Sequence, residues 1–377
     1  MNTNHSSSSS PAVRLASLDA LRGFDMFFIT GGAGIIAGLC AAFGWGDGWL
    51  AQEMRHVPWA GLAHHDTIFP LFLFLAGVSW PFSLASQAAR GRTTGQIVRK
   101  VILRMAILFA FGLVCGHILD FKPTFRIPSV LGQIGLSWGL AALVFMSVKR
   151  LGARILVVAG LLFGYWALLA FNVAPDAPAG ADAWSLEGNI ISWLDRTLMP
   201  NHIYKTGVYD PESLFSVPSG VALALLGMLA GTVLRNERWT ASRRALVLAA
   251  LAGLTLALGL GFVFVLGTPV VKSLWTSSFV LVAAAYSYAM LAVFYWVIDV
   301  KGWSRWSFYF MVIGMNSITI YMLMNVGVIG SLRRCFFNGL LDACGKDWLQ
   351  FLAGLTQQLT CWLVLYFLYR KKIFLKV

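Results

Sequence analysis

Apolar residues run along this chain in long unbroken stretches instead of alternating with polar ones, and polar residues collect in the intervals. A spanning helix needs roughly 20 mostly apolar residues, whereas a barrel strand alternates. The pattern therefore predicts helical spans at Phe24–Phe43, Ile68–Ser86, Val101–Leu119, Ile127–Val148 and Ile155–Val173. After a polar interval they resume at Leu214–Leu234, Ala245–Leu266, Ser277–Ile298, Phe308–Ile329 and Leu349–Tyr369. The expected fold is all-α: a polytopic bundle of about ten transmembrane helices, one domain over residues 14–377 behind a disordered tail at 1–13. That tail lacks the basic start, apolar core and cleavage site of a secretory signal. No second soluble domain and no internal repeat is evident.

Composition agrees, since 58% of the 377 residues are hydrophobic and 12% charged, against about a quarter charged in ordinary soluble domains. The chain is read as an integral membrane protein. Its net charge of +13 would by itself suggest a polyanionic partner, but the placement of the bases says otherwise. With the N-terminus inside, 20 of the 29 Lys and Arg fall on the cytoplasmic side, among them Arg90, Arg92, Arg99, Lys100 and Arg104, and Arg235, Arg238, Arg243 and Arg244. Cytoplasmic loops carry such an excess. Both termini are therefore expected in the cytoplasm, and no nucleic-acid partner is expected.

This topology puts the stretch MRHVPWAGLAHHDTIFP, with His56, His64, His65 and Asp66, at the outer lip of the second span. His and carboxylate are zinc ligands, but the spacing is wrong for a helix-borne pair, and adjacent His64 and His65 should point apart on a helix. No metal is expected. Asp66 enters an apolar run where an unpaired carboxylate is costly, so it is either a helix cap, with Pro70 in the first turn, or a functional group. Asp19 and Arg22 lie three apart at the inner mouth of the first span, followed by Gly23, Gly31, Gly32 and Gly34. They suit either an anionic ligand or an interfacial anchor with close helix contact. Tyr209, Asp210 and Glu212 lie at the outer mouth of the sixth span; Asn316, Ser317 and Thr319 lie within the ninth, as helix glue or ligand contacts. Cys335 and Cys344 share one outer loop, where a disulfide and two free thiols are both open.

In order along the chain, SLDALRGFDM, HVPWAGL, DTIFPLFLFLAGVS, RIPSVLGQIGLS, YDPESLFS, LGMLAGTVL, LWTSSFVL and GMNSITIY resemble the heparan-α-glucosaminide N-acetyltransferase family, including its bacterial members. The resemblance covers nearly the whole chain after the serine run. It implies a membrane enzyme of the bacterial inner membrane that carries acetyl from cytoplasmic acetyl-CoA to the amino group of a glucosamine-type sugar or glycan outside. His56 matches the family histidine, either acetylated itself or acting as a base, with Asp66 orienting the site. Arg22, Asn316 and Ser317 are expected at the donor; Trp59, Arg126, Tyr209 and Asp210 at the acceptor. Thr30 stands where some relatives have Asn, and it competes with Asn316 and backbone amides as the partner of the reacting carbonyl. His64 and His65 replace residues that are not usually histidine in the family, so neither is expected to be catalytic. A sugar or glycolipid transporter, whose broken helices and midplane polar groups look alike, and an O-acyltransferase of a surface glycan remain open, as does a homodimeric state. Twelve of the sixteen acids fall on the outer side. That favours a cationic amino sugar over a polysulfated one, unless Arg126 and Lys205 offset the field.

Overall fold

The computed structural model describes residues 15–204 and 207–375. The expected tail at 1–13, with Arg14, Lys205 and Lys376, lies outside the described residues. The described chain is helical: α1 (Ala16–Ala42), α2 (His64–Ala89), α3 (Thr94–Cys115), α4 (Val130–Ser147), α5 (Leu151–Ala170), a short α6 (Ile190–Leu198), α7 (Leu214–Leu234), α8 (Ala241–Phe264), α9 (Ser277–Val300), α10 (Arg305–Gly314), α11 (Ser317–Asn325), α12 (Val328–Asp342) and α13 (Lys346–Arg370).

Eight of these helices have the length and hydropathy to cross a membrane. The pair α10 and α11, bent by 55° at residues 315–316, makes a ninth. The expected tenth, α3, is 22 residues long but carries Arg99, Lys100 and Arg104, which lowers its apolar character below that of the others. It begins at the Thr93 cap, whose hydroxyl accepts from Gln96 N–H, and ends where Arg126 N–H donates to Gly116 O.

Loops that the alternation predicts on one side do meet there. Ala60 bridges Val271 and Val173 bridges Asn189, Trp59 Nε1 donates to Trp184 O at 2.9 Å, and Ile127 N–H to His202 O at 2.8 Å. On the opposite face the start of α1 meets the end of α9, with Ser17 N–H donating to Asp299 at 3.3 Å.

Lipid offers no hydrophobic drive for helices to associate, so small residues and polar ties do the work. The centre of the bundle is α2 against α7. Gly77 faces the Ala224 carbonyl, and Gly227 and Gly231 face the Phe74 and Val78 carbonyls, so a methyl group at any of the three would collide with backbone. Leu71, Leu73, Phe74, Leu75 and Val78 are fully buried at this crossing. Within α1, a wide turn over Phe28–Gly32 places Gly31 at φ 149° against the Gly354 carbonyl of α13, a conformation that only glycine adopts without strain.

Thr30 departs from expectation at this turn. It is wholly buried, and its hydroxyl bonds Met26 O at 3.0 Å and Gln358 Oε1 at 2.8 Å, while Gln358 Nε2 donates to Tyr309. It clamps α1 to α13 and does not face a ligand. Cys335 and Cys344 are free thiols.

Candidate active site

The loop before α2 is fixed at both ends. Gly61 N–H donates to Val270 O at 2.8 Å. Asp66, third residue of α2, reaches back over the first turn so that Oδ2 accepts from Val57 N–H at 3.3 Å and Ala63 N–H at 3.2 Å. The expected cap thus works from inside the helix, because α2 begins at His64, earlier than the apolar run suggests. Pro70 accordingly falls beyond the first turn. Asp66 Oδ1 stands 2.7 Å from His56 Nδ1. The carboxylate is 1% exposed and the imidazole 56%. With Nδ1 engaged by a fixed carboxylate, Nε2 is the nitrogen left for a substrate, the arrangement a general base needs.

His64 and His65 point apart, as expected. The His65 ring lies 4.6 Å from that of His56, whereas His64 packs on Phe28 at 4.3 Å and its N–H donates to Glu53 at 2.5 Å. Among the described residues no three ligating side chains converge as a metal site would require.

His56 and His65 line a cavity of about 220 Å³ together with Lys272, Glu212, Ser317 and Tyr321, its remaining wall being apolar, Phe69, Phe72 and Ile134 among it. A second cavity of about 290 Å³ is lined by Arg22, Arg104, Ser79, Trp138 and Asn316. Phe72, Ser317 and Ile318 line both, so a wall one residue thick divides them. Ser317 opens α11 just after the bend, which is why its side chain reaches this wall.

Arg22 and Asp19 pair at 3.5 Å as expected, and Arg22 also donates to Ser79 Oγ and to Leu75 O. Arg104 lies 4.2 Å over the Trp138 ring, and its Nε has no hydrogen-bond partner. Asn316 lines the second cavity, and its side chain ties Ile373 O at 2.9 Å and Leu375 N–H at 3.2 Å.

The expected acceptor residues are not brought to His56 as a group. Arg126 donates to Asp210 Oδ2 at 2.9 Å and pairs with Glu212. Asp210 is buried and also accepts from Tyr204 N–H at 2.8 Å and Glu212 N–H at 3.0 Å, so it braces the outer loop. Burial alone would lower the affinity of Arg126 for its proton; the bonds to Asp210 and the charge of Glu212 outweigh it and raise it above the usual range. Beneath this pair Asp195 accepts from Ser213 Oγ at 2.8 Å, and burial pushes its carboxyl up to about 7. Trp59 and Tyr209 pack edge to face at 5.4 Å, with Trp59 against the buried Leu169 and Leu274 group.

No family model matches the chain. Among curated proteins it is 29% identical over 426 residues to human heparan-alpha-glucosaminide N-acetyltransferase, covering 97% of this chain and 60% of that enzyme. To the mouse enzyme of the same name it is 26% identical over 428 residues, covering 97% and 62%. Over nearly its whole length the chain is similar to these two acetyltransferases. It spans about 60% of their length.

Sequence reasoning missed two residues of this site. Lys272 stands 3.0 Å from His56 Nδ1 and 3.3 Å from Asp66, although 216 residues separate it from His56. Arg104 was counted only as an inner-loop charge. Glu212, singled out in the sequence with Tyr209 and Asp210, shares the cavity wall with His56.

Proposed function

We propose that this chain is a transmembrane N-acetyltransferase, taking acetyl from acetyl-CoA on the cytoplasmic face and delivering it to an amino sugar on the other. The observation that carries this reading is the pair of cavities back to back: one lined by two arginines, the other by His56, sharing a wall at Phe72, Ser317 and Ile318. Acetyl-CoA is the donor substrate, and its phosphates suit the Arg22 and Arg104 side. Arginine is the residue of choice for phosphate, and the unpartnered Arg104 Nε fits an anion. Donor-side roles for Arg22, Asn316 and Ser317 follow, with Arg104 added.

In the transfer, the acceptor amine attacks the thioester carbonyl carbon, a C–N bond forms and the C–S bond breaks. His56 takes the proton that the amine loses and returns it to the departing thiolate, giving amide and free thiol. Asp66 holds the imidazole so that Nδ1 faces it and Nε2 faces the amine. An imidazole base of this kind contributes typically about 10²- to 10⁴-fold. The acceptor is a neutral or cationic amino sugar, because the outer side holds most of the acids and its base Arg126 is already paired. The inner membrane of a bacterium is the compartment this reading implies.

The test uses the full chain in vesicles loaded with acetyl-labelled acetyl-CoA, with glucosamine outside. Label should appear as external N-acetylglucosamine with stoichiometric release of CoA inside. Glucosamine crossing without CoA release would establish the transporter reading instead, and alkali-labile label on a glycan hydroxyl the O-acyltransferase reading.

A further inference from the structure

Lys272 lies on the turn between α8 and α9, and the turn holds it rigidly. Val271 N–H donates to Thr276 Oγ1 at 3.1 Å, Thr276 Oγ1 to Pro269 O at 2.9 Å, and Trp275 N–H to Lys272 O at 2.9 Å. Trp275 is wholly buried and Val271 bridges Ala60 of the His56 loop. From this turn the side chain, 15% exposed, reaches His56 Nδ1 at 3.0 Å and Asp66 Oδ1 at 3.3 Å.

The triangle constrains where protons sit. Nδ1 can accept from the ammonium, or carry a proton and donate to Asp66, but a doubly protonated ring would set its N–H and its positive charge against the ammonium at 3.0 Å. Asp66 alone would stabilise the charged ring and trap the proton that His56 must pass on. Lys272 offsets that carboxylate. The other groups facing His56 are His65, one residue before Asp66 on α2, and Glu212 across the cavity; Glu212 is itself paired with Arg126.

We propose that Lys272 is a positioning residue of the His56–Asp66 pair, whose ammonium neutralises Asp66 and keeps the imidazole singly protonated. Its kinetic consequence rests on the acyl-transfer reading; its effect on the ring does not.

The experiment therefore reads the ring directly. Diethyl pyrocarbonate modifies neutral imidazole, and mass spectrometry of the full-length protein in detergent reports the extent at His56 across pH 5 to 9, with exposed His117 as internal reference. In Lys272→Met the pH midpoint at His56 should rise by about one unit, a roughly tenfold slower modification on the acid side, because a ring freed from the cation keeps its second proton to higher pH. Lys272→Arg should stay near wild type. Lys272→Gln, which retains a donor for Asp66, should shift as the Met variant does and serves if that variant does not fold. The acid limb of the kcat/KM profile for acetyl transfer should move the same way, with the KM for acetyl-CoA unchanged. An unmoved His56 midpoint in either folded neutral variant overturns the proposal, as does a change confined to the KM for acetyl-CoA. If the wild-type protein transfers no acetyl while the midpoint still shifts, the functional reading fails and the Lys272 assignment stands.

Discussion

The two cavities that meet at Phe72, Ser317 and Ile318 handle charge in opposite ways. Among the described residues the arginine-lined cavity has no acid in its wall, and Arg104 is held by a Trp ring with its Nε unpartnered. Around His56 each cation meets a carboxylate: Lys272 meets Asp66, and Arg126 meets Asp210 and Glu212. A surplus of one sign attracts a charged ligand and holds it. A cation already paired with a carboxylate attracts a further anion less. On the proposed reading, the bundle separates binding from chemistry across one layer of side chains.

The largest effect expected from breaking this contrast comes from His56→Ala, with a fall in turnover of 10²-fold or more and an intact thermal midpoint, since the ring is mostly exposed. Initial rates on folded, size-excluded protein decide it. Asp210→Asn comes next and should strike stability. Removing one member of a buried pair costs roughly 3–5 kcal/mol, reduced to about 2 kcal/mol here because Glu212 still pairs with Arg126; a thermal scan in detergent reads it. Arg104→Gln should raise the KM for acetyl-CoA by about tenfold, the scale of one charge-assisted contact, with the acceptor KM unchanged.

A smaller effect is expected at Asp195, where the folded carboxyl titrates near 7 and the unfolded one near 3.9. Folding takes up a proton between those values, so wild-type stability falls as pH rises from about 4 to 7 and is level above. Asp195→Asn should remove that slope, which thermal midpoints at pH 5, 6, 7 and 8 would reveal. His64→Ala, aimed away from the cavity, should change turnover by less than about twofold; a loss equal to that of His56→Ala would merge the two histidines into one site.

Much of this was legible in the chain because it is local. His56 and Asp66 are ten residues apart on one loop and its following helix, and Asp19 and Arg22 share one helical turn. The all-helical bundle followed from unbroken apolar runs, since lipid leaves few alternatives. What escaped is what the bundle brings together from afar. Lys272 sits in an apolar context, LGTPVVKSLWT, that marks it only as a loop base. Gln358, the partner of Thr30, lies on α13, and Arg126, the partner of Asp210, is 84 residues away. In each case a polar residue's partner lies far off along the chain, and no local pattern names it.

The shared wall also bears on the electrical integrity of the membrane. A water-filled passage joining the two faces would short-circuit any ion gradient the membrane maintains. Phe72 and Ile318 put apolar surface at the divide, and narrow apolar constrictions shed water and block ions without closing mechanically. Ser317 contributes a hydroxyl, too little to hold a continuous file of water. A group that threads this divide must therefore be slender and uncharged where it crosses, while its charged end stays with the arginines.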